Sequence, residues 1–564
     1  MWPTCRLRVF LTGFVVAFCV LCPCGETLSA AKPLDVSFSI KKEVIHRIDP
    51  RVFGQFMERP SWGEIGVEGG LIPGTRTLQP GVLKRLEAME IPIIRFPGGT
   101  DVDYMDWCDM VDHVPGRAPQ RPVSTGHKGH RVTNHFGYDE FLQLCEHLDA
   151  EAILVVNFRD GLLKKKSLKD AADHAAALVA YCNTPVGATL PKGMYDWPSL
   201  RATNGRVKPY RVKYFQIGNE TWAFMRQLRA MASDGAPQFY AKCVAAFIDA
   251  MRSVDPSIKI IVDGQDGNMS GIVNQVHEQL GDRIACFATH FYCPWSITKV
   301  LKHGKEISPH EIPAEAIWRA WMAVTQFDTE GQSILNHPGI RAAREKNYKV
   351  SVTEWNWNGW WRLQGPQPAL NSSYAKGVGA ASYVHAFMRA ADVIEIGCQS
   401  MLVGNTWGIH AIKADAQGKV APTYMPTGQV TMLYSKHHGD ALLALDSRNV
   451  PTYEQPYQMG GISPKSKIAF IDALATADDE YVYFHAINRS FEQPIEVTID
   501  VSAFGRVEDR AVHHVLEGRL NNEPGPNESL QIATISEGVA YVDSKILKVT
   551  LPHRSVSCIE FTLK

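Results

Sequence analysis

The chain has 564 residues, 45% of them hydrophobic, which is enough for a large core and for more than one domain. Its 58 Lys+Arg against 59 Asp+Glu leave a net charge of −1, so it carries no electrostatic footprint for a nucleic acid or another polyanion. The 13 Trp, 18 Tyr and 23 Phe bear more on function, because aromatic faces stack on sugars and other flat apolar surfaces.

The N-terminus reads as a targeting segment. A basic start (Arg6, Arg8) leads into an apolar run over 9–21, and the small residues Ser29, Ala30 and Ala31 follow. The run is short for a membrane span. The expectation is a signal peptide over 1–31, cleaved near Ala30 or Ala31, and a secreted or periplasmic protein with no membrane span after signal removal. Leu21 and Pro23 disfavour a lipid anchor on Cys22 or Cys24. Eight cysteines lie beyond this segment, several inside apolar runs and none at metal-type spacing, so buried thiols are expected for most of them.

Strand-like apolar runs recur at 52–57, 92–96, 152–158, 212–217, 258–262, 286–291, 348–353 and 394–403. Between them lie helical patterns at 80–90, 138–149, 168–182, 237–254, 271–280, 314–327 and 373–391. Eight strands alternating with helices predict an α/β fold, a (β/α)8 TIM barrel, over 48–434. A doubly wound sheet is the alternative, and no G-x-G-x-x-G follows any strand to support it. His127, His130 and His135 form the nearest thing to a metal cluster, but they lack an acidic or Cys partner at ligand spacing, so no metal and no cofactor are expected. "LLKKKSLKD" reads as a solvated loop and helix start.

Past residue 434 helical periodicity stops. Runs such as "EYVYFHAINRS" and "PIEVTIDVS" alternate apolar and polar residues, which predicts an all-β sandwich over 435–564. The short run "LDVSFSI", within 32–47, is expected to join that sandwich as an N-terminal strand.

In a parallel barrel the strand C-termini converge on one mouth. Here they end in Glu58, Arg95, Asn219 with Glu220, His290 with Tyr292, and Glu354. Glu220 and Glu354 lie three strands apart. Two carboxylates facing each other are what glycoside hydrolysis requires: one protonates the leaving oxygen, the other attacks the anomeric carbon or activates water. The expected partner is therefore a carbohydrate, with no nucleic acid. Of the tryptophans in "EWNWNGWW", Trp355, Trp357, Trp360 and Trp361, one or two are expected to form a sugar platform.

The segments "VFGQFMER", "IPIIRFPGG", "KYFQIGNETW", "THFY" and "VTEWNWNGWW" resemble the clan A glycoside hydrolases, and within that clan the family 51 α-L-arabinofuranosidases. The resemblance runs from about Leu34 to the C-terminus. It implies Glu220 as acid/base, Glu354 as nucleophile, and Asn219 on the sugar 2-hydroxyl. It further implies Arg95 and Tyr292 on Glu354, His290 orienting Glu220 or the sugar, and Glu58 on sugar hydroxyls; Trp355 is added to the binding set. The acid/base is expected to have a raised pKa from apolar neighbours such as Trp222 and from the charge of the other Glu. Four positions depart from the family pattern: Thr100 stands for Asn, Arg59 for His, Thr353 for Asp, and Gln399 is out of clear register.

The expected function is a retaining exo-glycosidase on terminal α-L-arabinofuranosides. The alternatives are another retaining clan A activity (endo-glucanase, xylosidase or uronidase) or a carbohydrate-binding protein without catalysis. Oligomeric state is left open.

Overall fold

The computed structural model describes residues 35–232, 235–264, 270–324, 326, 333–363, 373–520 and 531–564. The expected signal peptide lies outside the described residues. Among those described, no helix is long and apolar enough to cross a membrane.

Eight strands close a parallel barrel: β1 (Gly54–Phe56), β2 (Ile93–Phe96), β3 (Glu151–Val156), β4 (Tyr214–Ile217), β5 (Lys259–Asp263), β6 (Cys286–Tyr292), β7 (Val350–Asn356) and β8 (Ile394–Ser400). β8 returns to β1 in parallel register, Cys398 opposite Gly54. All eight stand where the apolar runs predict them.

The alternation of side chains along a strand explains why these runs are apolar on both faces. Phe56, Ile93, Ile153, Tyr214, Ile261, Cys286, Ile396 and Cys398 cluster together as the barrel interior. The intervening Ile94, Leu154, Phe215, Ile217, Ile260 and Val262 pack in a second cluster with the surrounding helices. Two residues beyond Ile93 and Tyr214, on the same inward face, come Arg95 and Gln216. The pleat thus delivers polar groups to the mouth one layer above the apolar filling.

Helices occupy all seven predicted stretches, for example Tyr138–Leu148, which buries Phe141, Leu142, Leu144 and Cys145 and stops at Asp149 in left-handed backbone (φ 54°). Further helices lie outside the predicted stretches, among them Pro338–Lys346 and Pro426–Lys436. The first buries only Ile340 and Ala343, too sparse an apolar stripe to show as a period. Cys108, Cys145, Cys182, Cys243, Cys286, Cys398 and Cys558 are buried and unbridged.

The C-terminal strands pair as a closed ring of nine with the N-terminal strand Val36–Arg47 among them. That strand runs antiparallel to Ala441–Arg448 and parallel to Ile495–Asp500, so neither face of the sandwich ends in an open edge. The ring packs on the barrel helices through shared apolar residues such as Trp318, Val384, Ile487 and Leu516. One buried ionic cluster crosses this contact: Asp472 accepts from Arg389 Nη2 at 2.8 Å and Arg489 Nη2 at 3.1 Å, and lies 3.2 Å from His385 Nδ1.

Candidate active site

The mouth is organised around Arg95, which is fully buried at the end of β2. Its Nε donates to Gln216 Oε1 (2.9 Å), Nη1 to Glu354 Oε1 (2.9 Å) and Nη2 to Asn219 Oδ1 (2.5 Å), while its guanidinium lies 4.6 Å from the Phe56 ring centroid. A buried charge is tolerated only when so satisfied. One cation therefore ties the end of β7 to the end of β4.

Glu354 takes a second hydrogen bond from Tyr292 OH at 2.9 Å. Burial and the Glu354 charge push the Tyr292 phenol well above its ordinary pKa, so it stays a neutral donor. The register between β7 and β6 slips by one residue at this point, Val352 facing Thr289 but Glu354 facing His290. The slip brings both Thr353 and Glu354 to His290: Thr353 Oγ1 lies 3.0 Å from Nε2, and Glu354 Oε2 lies 3.6 Å from Nδ1.

Glu220 follows β4 in left-handed backbone (φ 47°, ψ 43°), a strained conformation for a non-glycine residue. Its Oε1 is 3.1 Å from His290 Nδ1. Ligating atoms of Glu220, His290 and Glu354 all lie within 4.8 Å of one another. Burial pulls the imidazole pKa of His290 down, but the charge of Glu354 and the hydrogen bond and charge of Glu220 together raise it. For Glu220 burial pushes the carboxyl up, and the hydrogen bond and charge of His290 with the charge of Arg95 more than offset it, leaving the pKa lowered. This corrects the expectation of a raised acid/base pKa supplied by Trp222. Trp222 is 42% exposed, and the partner of the Glu220 carboxyl is His290 rather than an apolar wall.

Glu58 lies buried at the end of β1 and accepts from the Gly99 amide at 3.1 Å. Burial and the Glu354 charge raise its pKa well above its ordinary value. A Cβ on Gly98 would come within 2.5 Å of Glu58 Cγ, and φ there is +141°, so this turn requires glycine. Asn219 Nδ2 is buried with no hydrogen-bond partner, a donor left over at the cavity wall.

Two residues unremarked in the sequence hold the Glu220 turn from both sides. Asp103 Oδ2 accepts from the Asn219 amide (3.2 Å) and its Oδ1 from Phe158 and Arg159 amides (2.8 and 3.1 Å). Asp263 Oδ2 accepts from the amide and hydroxyl of Thr221 (2.6 and 2.7 Å). Both are buried on separate elements, 116 and 42 residues from their partners, and only their ionisable type in apolar surroundings could have marked them.

The cavity over these groups measures about 1380 Å³. Trp355, expected among the binding residues, is not in its wall. It is fully buried, stacked near Tyr383 and Phe387, because it sits on the β7 face that points at the helices. Trp357 is likewise buried, and the exposed wall is instead made by Trp360 with Trp295 and Trp407.

The departures resolve individually. Thr353 holds the far nitrogen of His290, and Thr100 lines the cavity. Arg59 is buried against Met105 Sδ at 2.9 Å, and Gln399 is turned away to Gln55 and Thr431. His127 and His130 do meet an acidic partner, Asp101, at 2.6 and 3.1 Å, brought in by the fold, while His135 lies at Glu68 through its amide.

Comparison with known proteins bears directly on this site. A family model described as "Alpha-L-arabinofuranosidase 1 domain" matches residues 85–296, and one described as "Alpha-L-arabinofuranosidase C-terminal domain" matches 354–555. The two models lie side by side along the chain, and both describe α-L-arabinofuranosidases. The "Probable alpha-L-arabinofuranosidase C" of Aspergillus fumigatus is 33% identical over 232 residues, 40% of this chain and 41% of that protein. The chain thus spans about two fifths of the length of that α-L-arabinofuranosidase. The "Intracellular exo-alpha-(1->5)-L-arabinofuranosidase" of Halalkalibacterium halodurans is 22% identical over 87% of this chain and 90% of that protein. The family 51 α-L-arabinofuranosidase structure from Thermotoga petrophila shares the fold with TM-score 0.66 at 23% identity, covering 93% of this chain and 99% of that one. That from Xanthomonas axonopodis pv. citri gives 0.69 at 19% identity, over 93% and 100%.

Proposed function

We propose that this protein is a retaining, exo-acting α-L-arabinofuranosidase that releases terminal α-L-arabinofuranosyl residues from polysaccharides or oligosaccharides. The carrying observation is the approach of the Glu220 and Glu354 carboxylates within 4.8 Å, with Arg95 and Tyr292 on Glu354 and His290 on Glu220. Retaining enzymes place their carboxyl groups about 5–5.5 Å apart, too close for an intervening water.

Glu354, held in place by Arg95, attacks the anomeric carbon as Glu220 gives its proton to the glycosidic oxygen. The bond to the aglycone breaks and a glycosyl ester forms. Water then enters, Glu220 takes its proton, the hydroxyl oxygen displaces Glu354, and the sugar leaves with its original anomeric configuration. Asn219 Nδ2 donates to the sugar 2-hydroxyl, and Glu58 hydrogen-bonds another hydroxyl. His290 holds and returns the mobile proton.

The exo reading is supported by the exo-acting Halalkalibacterium relative, and export by the basic-then-apolar leader over 1–31. Purified protein assayed on a panel of nitrophenyl glycosides tests the substrate: turnover of the α-L-arabinofuranoside is expected, and none on any furanoside overturns the reading. Glu354→Ala should abolish hydrolysis, and azide should restore it with the inverted product.

A further inference from the structure

The cavity is larger than one sugar requires, above the roughly 300–1,000 Å³ of a common small-ligand site. Its floor and its wall also differ in charge. The floor holds three carboxyl groups, Glu58, Glu220 and Glu354. The wall carries a cation, Arg362, which is exposed and lines the cavity.

Arg362 is reached from the nucleophile by a run of aromatic rings. Tyr292, bonded to Glu354, lies 5.4 Å from Trp295, and Trp295 lies 4.9 Å from Trp360 (centroid distances). The Arg362 guanidinium carbon is 5.5 Å from the Trp360 centroid. The backbone beneath is fixed: Ser296 pairs with Trp360 in a two-stranded parallel ribbon, and the Arg362 amide donates to Ile297 O at 2.9 Å. Arg362 makes no ion pair among the described residues, and the adjacent sequence "GPQPALNSS" contains no Asp or Glu.

A guanidinium laid against an indole, facing a cavity and lacking a carboxylate, is suited to bidentate recognition of one. The run of rings between Glu354 and Arg362 sets this cation apart from the cleavage position itself. We propose that the Trp295–Trp360–Arg362 wall is an aglycone subsite for a uronic acid, so that the preferred substrates carry the arabinofuranosyl group close to an acidic sugar. This rests on the arabinofuranosidase reading for the sugar that is released.

The test uses two arabinofuranosyl-substituted oligosaccharides identical except that the neighbouring uronic acid is intact in one and reduced to its primary alcohol in the other. The ratio of kcat/KM on the pair cancels effects common to both. We expect the full-length protein to favour the acid by about tenfold or more, the effect of one charge-assisted contact. In Arg362→Gln, and in high salt, the ratio should fall towards one. A ratio near one in the unaltered protein, or an unchanged ratio in Arg362→Gln, overturns the proposal. If neither compound is cleaved, the activity reading fails instead, and titration of the same pair followed by tryptophan fluorescence decides the subsite. Tighter binding of the acid that is lost in Arg362→Gln supports it, and equal binding overturns it.

Discussion

The amide of Thr221 donates to the buried carboxylate of Asp263 at 2.6 Å, one residue beyond Glu220. With Asp103 on the Asn219 amide, this clamps a left-handed residue that would otherwise relax. Positioning errors near 1 Å can cost on the order of 10²-fold in rate. Asp263→Ala should therefore lower kcat by roughly 10²-fold while KM moves only a few fold. Asp263→Asn keeps one acceptor oxygen and should recover part of the loss. Equal losses in kcat and expression yield would reduce Asp263 to a folding role.

Asp103 gives a stability signature. Burial pushes its carboxyl up to about 7, whereas an unfolded Asp titrates near 3.9. The folded state therefore binds the extra proton between these values. Its contribution is complete below about pH 4 and is lost as pH rises through about 7. The melting temperature of Asp103→Asn should depend less on pH across that window than that of the unaltered protein. Parallel curves would contradict the buried, protonated carboxyl.

His290 is the group proposed to supply the proton. Its pKa is raised, so the couple with Glu220 keeps its proton above the ordinary imidazole value of about 6.5. The alkaline limb of kcat/KM should lie above that pH. In His290→Asn the proton rests on Glu220 alone, and the limb should move to lower pH together with a fall in kcat. A limb that does not move would assign it to another group.

Arg95 is the shared anchor of both catalytic strands. Arg95→Met strips Glu354 and Asn219 of a charged donor, and the loss of a buried partner costs on the order of 3–5 kcal/mol. We expect kcat/KM to drop by more than about 10²-fold. A loss of only a few fold would remove Arg95 as the anchor of the site.

Away from the mouth, Asp472 sits among Arg389, Arg489 and His385 at the contact between barrel and sandwich. Their charges hold its carboxyl well below the usual range despite burial. Asp472→Ala removes the carboxylate shared by the buried Arg489, the half-buried Arg389 and His385, and urea denaturation should show a loss of about 3–5 kcal/mol with activity per folded molecule retained. A loss within about 0.5 kcal/mol would place the contact energy in the apolar residues alone.

Much of this architecture was legible in the chain. All eight barrel strands were marked by short apolar runs, because strands buried on both faces have no polar alternation to hide them. The polar residues that end them were legible for the same reason, as sudden carboxylates after "YFQI" and "VSVT". Trp355 misled because proximity to Glu354 in sequence does not set the face: adjacent strand residues point to opposite sides. Asp103 and Asp263 escaped notice because their partners are amides far along the chain, and an isolated Asp near a strand end carries no local pattern.

Sequence alone determined the strand order, the convergence of Glu220 and Glu354 on one mouth, and the change to β-rich structure after residue 434. These follow from periodicity, which is local. Only the tertiary structure decided which partners each carboxyl meets and which tryptophans reach the cavity. Those depend on distances of a few ångströms between residues far apart in the chain, and on burial that no single residue specifies: Glu58, Glu220 and Glu354 are chemically identical, and the fold alone places one on the Gly99 amide, one on His290 and one on Arg95.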